Sequence, residues 1–482
     1  MAFCFVGALI GTLVGVLPGV GPLVTIAILL PITYFLSPLA GLVMLSSIYY
    51  GAQYGGSTTA ILVRLPGENS SIVTCIDGYE MARQGRAGAA LAVAALASLF
   101  AGCVATLILA IFSPLLIELA LLFGPPEYCA LMVLGLVAAI VIAQGPLDKA
   151  LAMIVLGLLL GTIGTDVNSG IPRFTFGVPE LMDGIGFIPL AMGVFAFSEV
   201  IKSLENPEER GEAMAAVKRV WPSADDFRRS WPATVRGTAI GSLLGILPGG
   251  GAYLGSFVAY ATEKRISATP ERFGAGAVEG VAAPESANNA AAQTSFIPLL
   301  SLGIPGNAVI ALLAGAMMMK GIQPGPQVMA TRPELFWGLI ASMFVGNLML
   351  VIINLPLIRI WVLLLKVPYR MLFPAVIAFA CIGAYTIGNS TFDIFVLVAL
   401  AVLGYLFLKL DCEPAPLLLA FVIGPLLEEN FRRAMHISRG QLAVFVQRPI
   451  SGGLLLVALL LIVVMVLPRI RRSRERVFEG SN

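Results

Sequence analysis

The chain has 482 residues, 58% of them apolar, and only 12% carry charge, with 30 Lys+Arg against 28 Asp+Glu. Globular proteins carry about 25% charged residues, and a mean hydropathy of +0.91 leaves too little polar surface here to face water on all sides. A soluble enzyme and a disordered or collagen-like chain are excluded, and a net charge of +2 gives no basis for a nucleic-acid partner. The class expected is all-α, a polytopic integral membrane protein, and at roughly 20 residues per span the length allows about 10–12 crossings.

The first run, MAFCFVGALIGTLVG, has neither a basic n-region nor a polar cleavage site, so it is expected to open a membrane segment rather than to act as a removable signal. It leads into GTLVGVLPGVGPL at 11–23. Pro withdraws an amide and Gly admits positive φ, so this stretch predicts an interrupted helix, or else a kinked helix packed closely through glycine. Residues 49–62, YYGAQYGGSTTAIL, follow. Gly55 and Gly56 let backbone approach a ligand, while Ser57, Thr58 and Thr59 either line a site or bond back to the preceding turn. A second break comes at Pro66-Gly67, followed by a polar patch with Glu68, Asp77, Glu80, Arg83 and Arg86. Asp77-Gly78 reads as a turn, and most of these charges are expected at a membrane face.

Long apolar runs occupy 88–123, 128–145 and 150–164. The segment after them, GTIGTDVNSGIPRFTFGVPELMDG, contains Asp166, Asn168, Arg173 and Asp183 and is expected to form an extramembrane hairpin or re-entrant loop. Its Asp-x-Asn lacks the remaining ligands of a calcium loop. Residues 202–236 form the longest polar stretch, rich in Lys and Arg, and residues 469–482 form a basic tail. The positive-inside rule puts both in the cytoplasm. The chain therefore divides into an N-terminal membrane repeat (1–201), a cytoplasmic linker (202–236), a C-terminal membrane repeat (237–468) and the tail.

The two large parts match. Glycines at 11, 15, 19 and 21 recur at 241, 245, 249 and 251, and Pro18 recurs as Pro248, in GSLLGILPGGGAY. AILVRLPG at 60–67 is echoed by LLSLGIPG at 299–306. Paired Gly/Pro-interrupted segments in corresponding halves point to a transporter's midplane site. A helix ending at such a break leaves free carbonyls that suit a cation, and the helix that follows leaves N–H groups that suit a carboxylate. The candidate substrate-binding residues are Pro18, Gly19, Gly21, Gly55, Gly56, Ser57, Thr58, Pro66, Gly67, Pro248, Gly249, Gly250, Gly251, Pro305 and Gly306. In VAAPESANNAAAQTS, Glu285, Asn288 and Asn289 share one helix face at i, i+3 and i+4. They are a candidate cation site for Na⁺ or H⁺, or else a helix cap with two helix-bridging amides. No cofactor and no metal beyond Na⁺ is expected.

No Gly-Lys dipeptide exists, so the phosphate loop of an ATPase is absent, as is HExxH, and His436 is the only histidine. The chain is not expected to be an enzyme. Cys4, Cys75, Cys103, Cys129, Cys381 and Cys412 form no CxxC pair and read as buried thiols.

GTLVGVLPGVGP, YGGSTTAIL, DGYEMARQGRAGAAL, FGPPEYCALM, RFTFGVPELMDG, EGVAAPESANNAAA, IPLLSLGIPGNA and FVIGPLLEENFRRAMHISRG, in this order, resemble the large membrane subunit of the bacterial tripartite tricarboxylate transporters. Members usually carry a further apolar segment before GTLVGVLPG. The resemblance implies a multi-pass inner-membrane secondary transporter that works with a small membrane subunit and a periplasmic solute-binding protein. It further implies uptake of citrate-like tricarboxylates or other organic carboxylates, driven by a cation gradient. The competing reading is a passive organic-anion channel.

Overall fold

The computed structural model describes residues 1–17, 21–120, 122–143, 146–166, 169–205, 221–247, 251–364, 374, 377–378, 381–382, 384–386 and 390–466. Pro18, Gly19, Pro248, Gly249 and Gly250 lie outside these residues, as do Asn168 and the basic tail. Helix is nearly continuous. α1 (Ala2–Gly15), α2 (Pro22–Tyr34), α3 (Pro38–Val63), α4 (Thr74–Met81) and α5 (Ala87–Ala120) build the first part, with α6 (Pro125–Ile142) and α7 (Leu147–Gly161) beyond them. α8 (Phe187–Ala191) and α9 (Ser198–Glu205) lead to the polar stretch. The second part opens with α10 (Ala224–Ile246), α11 (Gly251–Ile266), α12 (Glu279–Thr294), α13 (Phe296–Leu302) and α14 (Ala308–Met319). It continues through α15 (Gln327–Thr331), α16 (Pro333–Asn354), α17 (Ile358–Leu364), α18 (Thr391–Lys409), α19 (Ala415–Ile437), α20 (Val444–Gln447) and α21 (Pro449–Val466).

Among the described residues, three helical stretches are long and apolar enough to cross a membrane: the one within Thr74–Glu118, α16 and α18. Shorter apolar helices, α1, α2 and α14 among them, run for 10–17 residues. α1 stops at Gly15 and α2 starts at Pro22; α10 stops at Ile246 and α11 starts at Gly251. The helices are therefore interrupted at both LPG sequences. The polar stretch 202–236 is helical at its two ends, because Ser223 and Asp226 form a reciprocal cap that starts α10 inside it. Among the described residues the only strands are the two-residue pair Gly164–Thr165 and Pro172–Arg173, which make the expected hairpin. Arg432 of α19 clamps it with two bonds to Asp166, 3.1 and 2.8 Å.

The duplication is written into the packing. Gly7, Gly11 and Gly15 of α1 press against Met44, Ile48 and Ala52 of α3. Gly237, Gly241 and Gly245 of α10 press in the same register against Ala283, Ala287 and Ala291 of α12. A Cβ at Gly11 would stand 2.8 Å from the Ile48 Cα, and one at Gly241 2.6 Å from the Ala287 Cα, so only glycine permits either contact. The first helices correspond at an offset of 230 positions and their partners at 239. The second offset persists onward: α3 ends with Arg64 at φ 59° and α13 with Gly303 at φ 76°, each just ahead of its Pro-Gly pair. Each repeat also leans on the other, since α5 packs on α12 and α16 packs on α3, while α11 meets Asn69–Ser71 and α14 meets α2. α3 from Gly41 and α12 from Gly280 are buried to their ends. These two helices are the centre of the molecule.

Candidate functional site

Where α3 and α12 approach each other, Glu285 is completely buried. Its Oε2 accepts a 2.5 Å bond from the Ser57 hydroxyl, and its Oε1 a 2.5 Å bond from Thr74 of α4. Among the described residues no Lys, Arg or His forms an ion pair with it. A carboxylate out of water without a counter-charge is costly, so this one has to be neutralised by a proton or a cation. Hydroxyls suit that purpose, because each can rotate to donate to a charged acid or to accept from a neutral one.

The neighbouring amides diverge. Asn289 donates to the Ser98 hydroxyl of α5 at 2.7 Å and to the Glu285 carbonyl at 3.1 Å. Asn288 donates to Glu68 at 3.3 Å. Glu68 in turn is bonded by Ser70, which also reaches Gln53 at 3.2 Å. Several fully buried polar atoms have no partner among the described residues: Asn288 Oδ1, Asn289 Oδ1, both side-chain atoms of Gln293, Tyr54 Oη and Asn354 Oδ1. Buried polar groups are almost always bonded, so a cluster of free ones marks room for a ligand or water.

Two of these contacts are equivalent under the repeat. Asn288 of α12 touches Glu68, which follows the first Pro-Gly pair, and Tyr49 of α3 is touched by Asn307, which follows the second, at 3.4 Å. Asn288 lies 239 positions after Tyr49, and Asn307 lies 239 positions after Glu68. One crossing is neutral, and the other carries an acid.

Among the other expected site residues, Gly55 packs against Gly15 beside the first break, Gly67 against Gly15 and Gly56, and Gly21 nearest Gly67. Gly56 faces the Glu68 side chain, with a Cβ there 3.3 Å from its Cγ. Gly251 lies against Gly245, and Gly306 faces Ser295 and Pro298. Pro66 and Pro305 stand in the two turns between these elements. Thr58 bonds back to the Tyr54 carbonyl at 3.3 Å, while Ser57 bonds both its own helix and Glu285.

Asp77-Gly78 does not form a turn. It lies within α4, and Asp77 is completely buried. Its Oδ1 accepts the backbone N–H groups of Gly274, Gly276 and Ala277 at 2.8–2.9 Å, and its Oδ2 the Tyr260 hydroxyl at 2.9 Å. Four donors held by tertiary structure outweigh the local turn preference of Asp-Gly. Residues that sequence reasoning missed are Thr74, Ser98, Tyr54, Asn354 and the inward role of Glu68. A Pro-Gly pair followed at once by an acid, matched by a Pro-Gly-Asn in the other repeat, is the signal that marks Glu68; Ser98 and Asn354 carry none.

Helices interrupted at matching places, two repeats each packed internally through glycine, and a buried polar centre define an all-α polytopic membrane protein. The model of the tripartite tricarboxylate transporter TctA family matches residues 1–419, and the chain belongs to that family. It is also 59% identical over 478 residues, 99% of this chain and 95% of the relative, to an "uncharacterized 52.8 kDa protein in TAR-I ttuC' 3'region" of Agrobacterium vitis. A second Agrobacterium vitis protein, described as uncharacterized in the TAR-II ttuC' 3'region, is 59% identical over 238 residues, 49% of this chain and 98% of its own length. No solved structure matches the chain.

Proposed function

We propose that this chain is the transmembrane subunit of a binding-protein-dependent secondary transporter that brings tricarboxylates or related organic carboxylates across the bacterial inner membrane, driven by a Na⁺ or H⁺ gradient. Its partners are a small membrane subunit and a periplasmic solute-binding protein. The observation that carries this reading is Glu285, a fully buried acid at the junction of the two repeats with hydroxyl donors and no cationic partner among the described residues. Family membership supports the tripartite assembly and the class of solute. The repeats are read as inverted, and alternating access moves one against the other around the α3–α12 junction. Residues 55–59 and 285–289 enclose the carboxylate and its cation on this reading.

The basic stretch 202–236 and the C-terminal tail face the cytoplasm on this reading.

Liposomes containing this chain, its small partner and the loaded binding protein are expected to accumulate carboxylate only while an inward Na⁺ or H⁺ gradient is maintained. Uptake that continues undiminished after both gradients collapse would instead identify a passive channel.

A further inference from the structure

Beside Ser57 lies a cleft whose polar lining is Tyr54, Ser57 and Thr58 of α3, Ser98 of α5 and Asn354 at the end of α16. It has room for about one water-sized occupant. Every polar group on its wall offers an oxygen, and all five polar side chains are at least nine-tenths buried. Two of those oxygens, Tyr54 Oη and Asn354 Oδ1, have no partner among the described residues. Asn354 is fixed in place by its own amide, which donates to the Leu350 carbonyl at 2.8 Å and to Thr12 of α1 at 3.4 Å, so its free oxygen is held and not merely mobile. Ser98 is held from behind by the Asn289 amide.

We propose that this cleft is a binding site for one dehydrated monovalent cation, with Tyr54, Ser57, Ser98 and Asn354 as its oxygen ligands. Hard cations take neutral oxygens of this kind, provided negative charge stands nearby. Here the charge is Glu285, one hydrogen bond away through Ser57. A cation in the cleft thus supplies the counter-charge that no Lys, Arg or His gives Glu285 among the described residues. The site draws ligands from both repeats, α3 and α5 from the first and α16 from the second, so its occupancy depends on how they are arranged. The inference rests on the carrier reading and gives its coupling ion a location outside the Glu285–Asn288–Asn289 face.

The test uses the purified full chain in detergent and the melting temperature in NaCl, KCl or choline chloride at equal ionic strength. A saturable rise in melting temperature with Na⁺ or K⁺ over choline is expected, and the two salts identify which ion fits. Tyr54→Phe and Ser98→Ala, each removing one oxygen, are expected to raise the half-saturating concentration by about tenfold while leaving the choline melt little changed. Wild-type melting that ignores both alkali ions, or half-saturation that neither variant moves, overturns the site and leaves water as the occupant. Gradient-driven uptake measured on the same proteins separates the two readings. Uptake without cation-dependent melting removes the cleft and keeps the carrier; cation-dependent melting without uptake removes the carrier and keeps the cleft.

Discussion

Asp77 and Glu285 are both carboxylates at 0% exposure, on adjacent helices, and neither forms a salt bridge among the described residues. Their donors differ. Asp77 receives three backbone N–H groups and one phenol, whereas Glu285 receives two aliphatic hydroxyls. A backbone N–H can only donate, so three of the four partners of Asp77 are fixed in that role. A hydroxyl donates or accepts by rotation, so the Glu285 setting tolerates either charge state. The first carboxylate is a staple between α4 and the loop before α12; the second can change its charge without dismantling its surroundings. Burial alone therefore does not separate the two acids, and the chemistry of their donors does.

The largest effect expected from this contrast is at the staple. Asp77→Ala leaves three backbone N–H groups and a tyrosine hydroxyl without their acceptor, and a cost of roughly 3–5 kcal/mol is expected. Thermal melts and the yield of folded protein in detergent measure it. A melting temperature close to wild type would mean that the loop at 274–277 finds other acceptors, and the contrast with Glu285 would lose its structural half.

Next in size is a dissociation of stability from transport at Glu285. Glu285→Gln keeps the shape and removes the charge; Ser57 and Thr74 can turn to accept from the new amide. Removing an unpaired buried charge is commonly neutral or stabilising, so a change of no more than about 1 kcal/mol is expected in the same melts. Cation-driven uptake in liposomes is expected to be lost, while the protein still inserts and purifies. Full uptake by Glu285→Gln would show that neither a proton nor a cation has to be balanced at this position.

Much of this was legible in the sequence, for physical reasons. Hydropathy fixed the class, because lipid tolerates only satisfied backbone. The repeat was visible where glycine is sterically required: Gly11, Gly15, Gly241 and Gly245 admit no side chain, so the pattern persists in both copies. The face formed by Glu285, Asn288 and Asn289 follows from helical period alone and lies where α12 meets the first repeat. What the residues did not disclose depends on chain segments far apart. The partners of Glu285 are 228 and 211 positions away, and those of Asp77 up to 200. Local turn preference therefore misread Asp77, and no spacing links Asn354 to Tyr54. The equivalence of Glu68 with Asn307 emerges only at the offset of 239, which differs from the 230 of the LPG sequences because nine residues separate the two registers.

The smallest expected effects come from trimming one donor at each carboxylate. Tyr260→Phe removes one of four donors to Asp77 and leaves the three N–H groups in place, so about 1 kcal/mol is expected to be lost and transport to stay at the wild-type level. Thr74→Val removes one of two donors to Glu285 with little change in volume. Its stability cost is expected to be of the same order, yet the cation concentration giving half-maximal uptake should move, because the remaining hydroxyl alone must serve the acid in both charge states. Matched melts and uptake curves of the two variants therefore make a direct comparison. If Tyr260→Phe shifts the cation dependence as far as Thr74→Val does, the two acids share one role, and the distinction drawn from their donors fails.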